Sequence, residues 1–346
     1  MGAYILRRLL GLIPVVFGIS FIVFMLLRLI PGDPAVAILG ERSTPQQRQQ
    51  IREQLGLNKP LFLDFSGEGS VFDTQYFIFM GKLARGDLGT SVLRRTQVST
   101  ELRTFFPATA ELAIAAMLIA TSVGLFIGII AALRRGTVID AGTTTLALLG
   151  VSMPIFWLGL IFQYIFAVNL RWLPISQRLD ASLGQSFSPI TGLYVLDGLL
   201  RGRPDVTIDA LRHLIMPAVV LSTVPLAIIA RMTRSTMLDV LNQDYVRTAR
   251  AKGLAERIVT LRHAFKNALL PIITVIGLQF GLLLAGAVLT ETVFSWPGIG
   301  RWILEAIQGR DYPVVQGGVM FVAMVFVLVN FLVDLSFAAF DPRIRY

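Results

Sequence analysis

The sequence contains no cysteine and only two histidines, His213 and His263, among its 346 residues. The first absence removes disulfides, and together the two argue against a zinc site of His/Cys type. The strings H-E-x-x-H and G-x-S-x-G do not occur, so the common hydrolase templates are missing. Nor does G-x-x-x-x-G-K-[ST], so the chain has no nucleotide phosphate loop of that kind. Charge is scarce as well: 15% of residues are charged, 54% are hydrophobic and the mean hydropathy is +0.68. A soluble domain carries about a quarter charged residues. Too little charge remains here to cover a water-facing surface, so lipid must cover much of it. The net charge of +9 then reads as basic residues gathered in cytoplasmic loops, and nucleic acid is set aside as a partner.

What the sequence does have is long apolar runs. A helix crosses the hydrocarbon with about 20 apolar residues. Six runs qualify or nearly do: 9–30, 112–133, 141–170, 214–230, 268–290 and 312–333. Helices are expected because lipid leaves each segment to satisfy its own backbone groups. The third run is longer than one crossing needs, and the fourth is short and holds Pro217 and Pro225. Arg7 and Arg8 precede the first run as they would in a signal peptide. Its length and the lack of a small-x-small site favour an uncleaved anchor.

Six spans place both termini on one side. The 231–267 loop holds Arg231, Arg234, Arg247, Arg250, Lys252, Arg257, Arg262 and Lys266 against Asp239, Asp244 and Glu256. This loop, Arg7 and Arg8, Arg134 and Arg135, and Arg343 and Arg345 all fall on the N-terminal side, which the positive-inside rule makes cytoplasmic. The chain is therefore expected to divide into 1–30, the N-terminal end and first span; 31–106, an external segment; and 107–346, a core with five further spans. Within that core lie a second external segment, 171–213, and the cytoplasmic loop 231–267. In 31–106, Pro31-Gly32-Asp33-Pro34 is a turn signal, and Thr44 can cap a helix over Gln46–Leu55. The apolar patch Tyr76–Met80 is expected to pack on the membrane surface or on the spans. Either external segment could be an ordinary ordered loop or a docking surface.

Ionisable residues in the spans are few. Arg28 closes the first, Glu111 opens the second and Asp334 ends the sixth, all near an interface. No acid sits near the midplane, where an ion-coupled carrier would be expected to hold one. Gln279 and Asn330 lie deeper and could line a pathway or serve as polar contacts between helices.

The most informative segment runs from Asn242 to Leu254. Asp244 can cap a short helix covering Tyr245, Val246, Arg247, Thr248, Ala249, Arg250, Ala251 and Lys252. Gly253 can end it in the left-handed conformation that glycine adopts freely. A second helix then leads to Asn267 and into the membrane. Such a hairpin, with small residues at Ala249, Ala251 and Gly253, can plug into a groove on a cytosolic partner. On the residues alone it fits equally well as a basic hairpin lying on anionic lipid.

This segment resembles the loop of ABC importer permeases, Glu-Ala-Ala, three residues, Gly, and later Leu-Pro. Ala249, Gly253 and Leu270-Pro271 match it. Arg247 and Thr248 depart from it, and the interval from Gly253 to Pro271 is long. Those departures are themselves like the peptide/nickel branch, which reads Tyr-x-Arg-Thr-Ala-Arg-Ala-Lys-Gly as Tyr245–Gly253 do. Ile5–Leu9, Pro31–Pro34, Gly86–Ser91, Met153–Trp157, Glu291–Gly298 and Arg310–Gly317 also resemble the first permease subunit of dipeptide/oligopeptide importers. The resemblance implies an all-α, six-helix type I importer bundle in a bacterial plasma membrane, with no enzymatic activity or cofactor of its own. It implies as partners a second, related permease, a pair of cytosolic ATPases that bind ATP and Mg, and an external substrate-binding protein. Peptide is the implied substrate, and the same branch includes nickel and glutathione importers. The alternative from another class is a secondary, ion-coupled carrier.

Overall fold

The computed structural model describes residues 2–29, 36, 43–54, 57–64 and 70–340. The turn Pro31–Pro34 and the basic pair Arg343 and Arg345 lie outside these. Among the described residues the regular structure is helical apart from one isolated bridge between Thr90 and Gln97. Five helices are long and apolar enough to cross a membrane, with apolar spans at Leu6–Met25, Val98–Leu133, Pro204–Leu241, Glu256–Leu284 and Tyr312–Leu335.

The 141–170 run is not one of them. It forms α5 (Val138–Ser152) and α6 (Ile155–Asn169), parted at Met153 and Pro154, where Pro154 has φ −59° and ψ 128°. A residue before proline is pushed out of the helical region, so the uncharged run breaks into two half-length helices. The last turns of α6, Gln163–Asn169, are wound wider, as a π-helix. The 214–230 run is longer than expected. It is the middle of α9, Pro204–Leu241, which continues through Pro217 and Pro225 with residues 231–241 still helical. The expected fifth span, by contrast, stops at Leu284. Gly286 turns the chain at φ +111°, and Val288–Val293 form a separate short helix, α12. The remaining elements in chain order are α1 (Gly2–Leu29), α2 (Pro45–Gln54), α3 (Gln75–Ala84), α4 (Val98–Leu133), α7 (Ala181–Ser186), α8 (Tyr194–Leu200), α10 (Asp244–Ala251), α11 (Glu256–Leu284), α13 (Ile299–Gln308) and α14 (Tyr312–Phe340).

The chain folds as two compact units. One comprises Leu6–Phe106 and Trp302–Met324. In it α3 packs on α1 through Tyr76, which is buried beside Phe24 with ring centroids 5.2 Å apart; its hydroxyl lies 2.9 Å from Ser20 Oγ. The Tyr76–Met80 patch therefore covers a span. Thr44 caps α2 as expected, and Gln47 returns a side-chain bond to the Thr44 N–H, a reciprocal cap. Ser91, also buried, donates to Asp311 Oδ2 at 2.6 Å, and the Leu93 N–H donates to the same oxygen. This pairing ties the 86–91 and 310–317 motifs together. A Cβ on Gly317 would come within 2.8 Å of Val98 and 3.1 Å of Leu88, so only glycine allows that approach.

The other unit comprises Met1–Ile5, Pro107–Arg301 and Val325–Tyr346. Two Gly-x-x-x-Gly spacings pack its long helices. Gly124 and Gly128 on α4 meet α9, where a Cβ on Gly128 would lie 2.6 Å from the Ala230 carbonyl oxygen. Gly277 and Gly281 on α11 meet α14 at Val333 and Phe326. Small residues at this spacing let backbones approach closely in lipid, where burial of apolar surface supplies little drive between helices. The 171–213 segment is ordered around Leu179, Phe187, Val206 and Ala210. Burial opposes ionisation of Asp197, yet bonds from Thr191 (hydroxyl and N–H) and from the Gly192 and Ile190 N–H groups hold its carboxyl below the usual range. Glu111 is not merely a helix-end residue: it is buried, pairs with buried Arg178 at 2.5 Å and accepts the Val195 N–H.

Candidate functional site: a helical hairpin between two spans

The candidate site is the hairpin linking α9 to α11. α10 begins after Gln243, whose φ and ψ of −74° and 148° make it the cap residue. Asp244 is thus the first helical residue and not the cap; it makes no capping bond and lies 3.4 Å from Arg247 across an exposed surface. At the other end the expectation holds. Gly253 sits at φ +74°, its N–H donates to the Arg250 carbonyl at 2.9 Å, and the Leu254 N–H reaches the Ala249 carbonyl at 3.4 Å. This paired closure is a Schellman turn, which needs a left-handed residue.

The inner face of α10 is apolar at three-residue spacing. Val246 and Ala249 are buried against Val259, with Val240 and Leu241 closing the cluster. Ala249 therefore faces the hairpin's own core, while Ala251 and Gly253 remain exposed. Two polar ties brace the pair of helices. Arg250 grips Glu256 through Nε at 3.1 Å and Nη2 at 2.7 Å, and Asn267 donates to the Tyr245 hydroxyl at 2.9 Å. Hydrogen bonding to Arg250 lowers the Glu256 pKa, and the same bond raises that of Arg250. Arg250 is thus committed within the hairpin, whereas Arg247 points outward with 71% of its side chain exposed.

The outward face carries what the sequence reading overlooked. Leu254, Ile258 and Leu261 are exposed at 37%, 43% and 47%, next to Tyr245 at 41%. Arg247, Lys252, Arg257 and Arg262 are exposed around them. Ile258 and Leu261 lie on α11 and Leu254 in the turn before it, three apolar residues at short spacing in the sequence. Behind the hairpin, Arg234 on α9 holds Asp140 on α5 through two bonds of 2.6 and 2.7 Å. The Arg234 hydrogen bond and the Gly136 N–H hold the Asp140 carboxyl down at about 2.

Gln279 on α11 and Asn330 on α14 are both half-buried, and among the described residues neither makes a side-chain hydrogen bond. They are not interhelical polar contacts in this arrangement. Asp180, Asp209 and His213 bring possible ligand atoms within 4.8 Å of one another. Asp209 on α9 accepts the Asp180 N–H at 2.8 Å, which fastens the stretch before α9 to that helix, and His213 Nδ1 lies 2.9 Å from the Asp209 carbonyl within α9.

Residues 124–346 match the family model described as binding-protein-dependent transport system inner membrane component, and residues 1–113 match that of the N-terminal membrane component of the same systems. The chain belongs to this family of ABC importer permeases. The permease is 52% identical to the di/tripeptide transport system permease protein DppB of Pseudomonas aeruginosa, over 100% of this chain and 99% of the relative. It is 49% identical to the dipeptide transport system permease protein DppB of Alkalihalophilus pseudofirmus, over the whole of both. To the probable D,D-dipeptide transport system permease protein DdpB of Escherichia coli K12 it is 46% identical, over 98% of this chain and 96% of the relative.

The family motif Glu291–Gly298 also acquires a physical reading in this permease. Glu291 is buried, accepts the Thr109 hydroxyl at 2.7 Å and takes the Arg301 N–H at 2.8 Å. Burial pushes its carboxyl pKa up, while those bonds pull it down. Trp296 donates from its indole to the Ala108 carbonyl at 2.8 Å. A Cβ on Gly298 would overlap the Glu291 carboxylate. The motif is thus a clamp that fixes the chain after α12 onto α4.

Proposed function

We propose that this chain is the membrane-spanning permease subunit of an ATP-driven importer of dipeptides and short oligopeptides in a bacterial inner membrane. The observation that carries the coupling role is the α10–α11 hairpin, braced by Arg250–Glu256 and Tyr245–Asn267 yet showing an apolar stripe to the outside. A rigid element with exposed Leu254, Ile258 and Leu261 and a basic rim suits docking into a partner with an apolar groove and acidic edges.

The partners are a second, related permease, a pair of cytosolic ATPases that bind ATP and Mg, and an external binding protein that delivers peptide. ATP draws the ATPases together, the hairpins move with them, and the bundle alternates between outward and inward opening. Both termini lie on the ATPase side. Peptide as cargo is supported by the relatives' names and by the lack of fixed charge deep in the spans, where a strongly selective site would hold it. Gln279 and Asn330, polar and without side-chain partners among the described residues, are the residues that would line the path.

Purification of the tagged chain from its native membrane under mild detergent tests this reading. A second permease and ATPase subunits are expected to accompany it in fixed proportion. A chain that purifies alone, with no ATPase under any mild condition, would contradict the reading.

A further inference from the structure

The unit formed by Leu6–Phe106 and Trp302–Met324 contains a cavity of about 180 Å³ that the transport account does not use. It lies where two spans leave the apolar layer. Arg28 is three residues beyond Met25, the end of the first apolar span, and Tyr312 opens the span Tyr312–Leu335. Three helical residues amount to about 4.5 Å of rise, which sets Arg28 at headgroup depth.

The walls are of two kinds. Ile78, Phe79, Leu88 and Met320 make an apolar side. Arg28, Lys82 and Gln316 make a side of hydrogen-bond donors. The Arg28 guanidinium lies over the Phe24 ring at 3.4 Å and donates to Gln75 Oε1 and the Phe24 carbonyl, but among the described residues it meets no carboxylate. Lys82 likewise pairs with no described acid. Gln316 Nε2 is buried and, among the described residues, has no hydrogen-bond partner, which is costly for a polar atom unless an acceptor arrives. Asp87, the single acid among the described lining residues, accepts the Gly89 N–H at 2.9 Å. The described lining is thus net positive, with an unused donor, beside an apolar wall at the edge of the hydrocarbon.

We infer that this cavity holds the headgroup of an anionic phospholipid from the leaflet opposite the chain's N-terminus. The phosphate would meet Arg28, Lys82 and Gln316 Nε2, and the acyl chains would leave along the apolar wall. The size agrees: pockets that enclose a whole drug-sized molecule run to ~300–1,000 Å³, so about 180 Å³ takes a headgroup and leaves the tails outside. A basic group at the headgroup layer attracts anionic lipid by about 1 kcal/mol per charge, which is about fivefold in relative occupancy.

The test uses the intact transporter in nanodiscs of mixed phosphatidylglycerol and phosphatidylcholine, with retained lipid identified by native mass spectrometry. Phosphatidylglycerol should be enriched on the wild type. Arg28→Gln and Lys82→Gln should each lower that enrichment about fivefold, and Arg85→Gln, an exposed neighbour outside the cavity, should leave it unchanged. Lys82 is exposed, so its variant carries the test alone if Arg28→Gln fails to insert. Wild-type enrichment in Lys82→Gln, or an equal loss in Arg85→Gln, would overturn the proposal. So would displacement of the retained lipid by added dipeptide, which would make the cavity a site for peptide carboxylates.

Discussion

Gly253→Val isolates the turn of the hairpin from everything around it. Gly253 sits at φ +74°, and a Cβ built there meets nothing within 4 Å. The substitution therefore creates no clash inside this chain, and its whole intrinsic effect is backbone strain. A residue with a Cβ in the left-handed region is disfavoured by about 1–2 kcal/mol. Against this, the Arg250–Glu256 pair is exposed at 43% and 57% and contributes about 0–1 kcal/mol. The remaining hold on the turn is the small cluster of Val246, Ala249 and Val259. A strain of this size shifts the intact hairpin's population by about 5- to 30-fold. Uptake into proteoliposomes at limiting ATPase, and the amount of ATPase co-purified, should both fall, approaching that factor as the opened hairpin becomes the major form. Gly253→Asn should fall less, because asparagine visits the left-handed region more readily. The matched control is Gly202→Val: Gly202 also has positive φ, +63°, and open space around its Cβ, but lies before α9. If Gly253→Val transports and retains ATPase as the wild type does, or if Gly202→Val is equally impaired, the hairpin is not the coupling element.

Asp140→Asn breaks the double bond to Arg234 and should destabilise the permease by about 1–3 kcal/mol, read as a lower Tm, with partial recovery in the swap Asp140→Arg with Arg234→Asp. Because the Asp140 carboxyl is held down at about 2, its stabilisation is fully present above the unfolded value near ~3.9. It is lost as pH falls toward about 2, so between pH 6 and 8 the pair contributes in full and should add no pH dependence to the melting temperature. Gly128→Val places a Cβ 2.6 Å from the Ala230 carbonyl and from Thr233 and should cost about 1–3 kcal/mol through overpacking, whereas Gly142→Val, with nothing within 4 Å of its Cβ, should be near neutral in the same melt. For topology, Leu93→Cys (59% exposed) should react with an impermeant thiol reagent from outside, and Ile258→Cys (43% exposed) only after permeabilisation; the reverse pattern would invert the assignment. Ser91 and Thr260 are unsuitable probes, being exposed at only 2% and 5%.

The all-helical membrane class of the chain was legible because lipid imposes a simple rule: long uncharged runs become helices. The rule failed where local backbone chemistry intervened. Met153-Pro154 split one run in two, and Gly286 ended another early, neither of which shifts hydropathy. It failed also where a helix continued past its apolar run, as α9 does to Leu241, because hydropathy marks the apolar stretch and not the helix. In the hairpin, Gly253 was readable because few other residues tolerate its conformation. Asp244 was misplaced by one residue, since Gln243 adopts the cap geometry without a side-chain bond. The fate of Ala249 and Arg250 depends on partners ten and six residues away, Val259 and Glu256, and an isolated nine-residue motif does not reveal them. The Gly-x-x-x-Gly pairs were visible as spacing, and only the close approaches at Gly128 and Gly277 give them meaning.

The central claim is that this chain moves peptide only when ATPase partners drive it. Labelled dipeptide, presented with the external binding protein, is followed into proteoliposomes holding either the purified chain alone or the co-purified complex. No accumulation is expected by the chain alone under proton or sodium gradients, and accumulation by the complex should require ATP and Mg. Gradient-driven accumulation by the chain alone would contradict it.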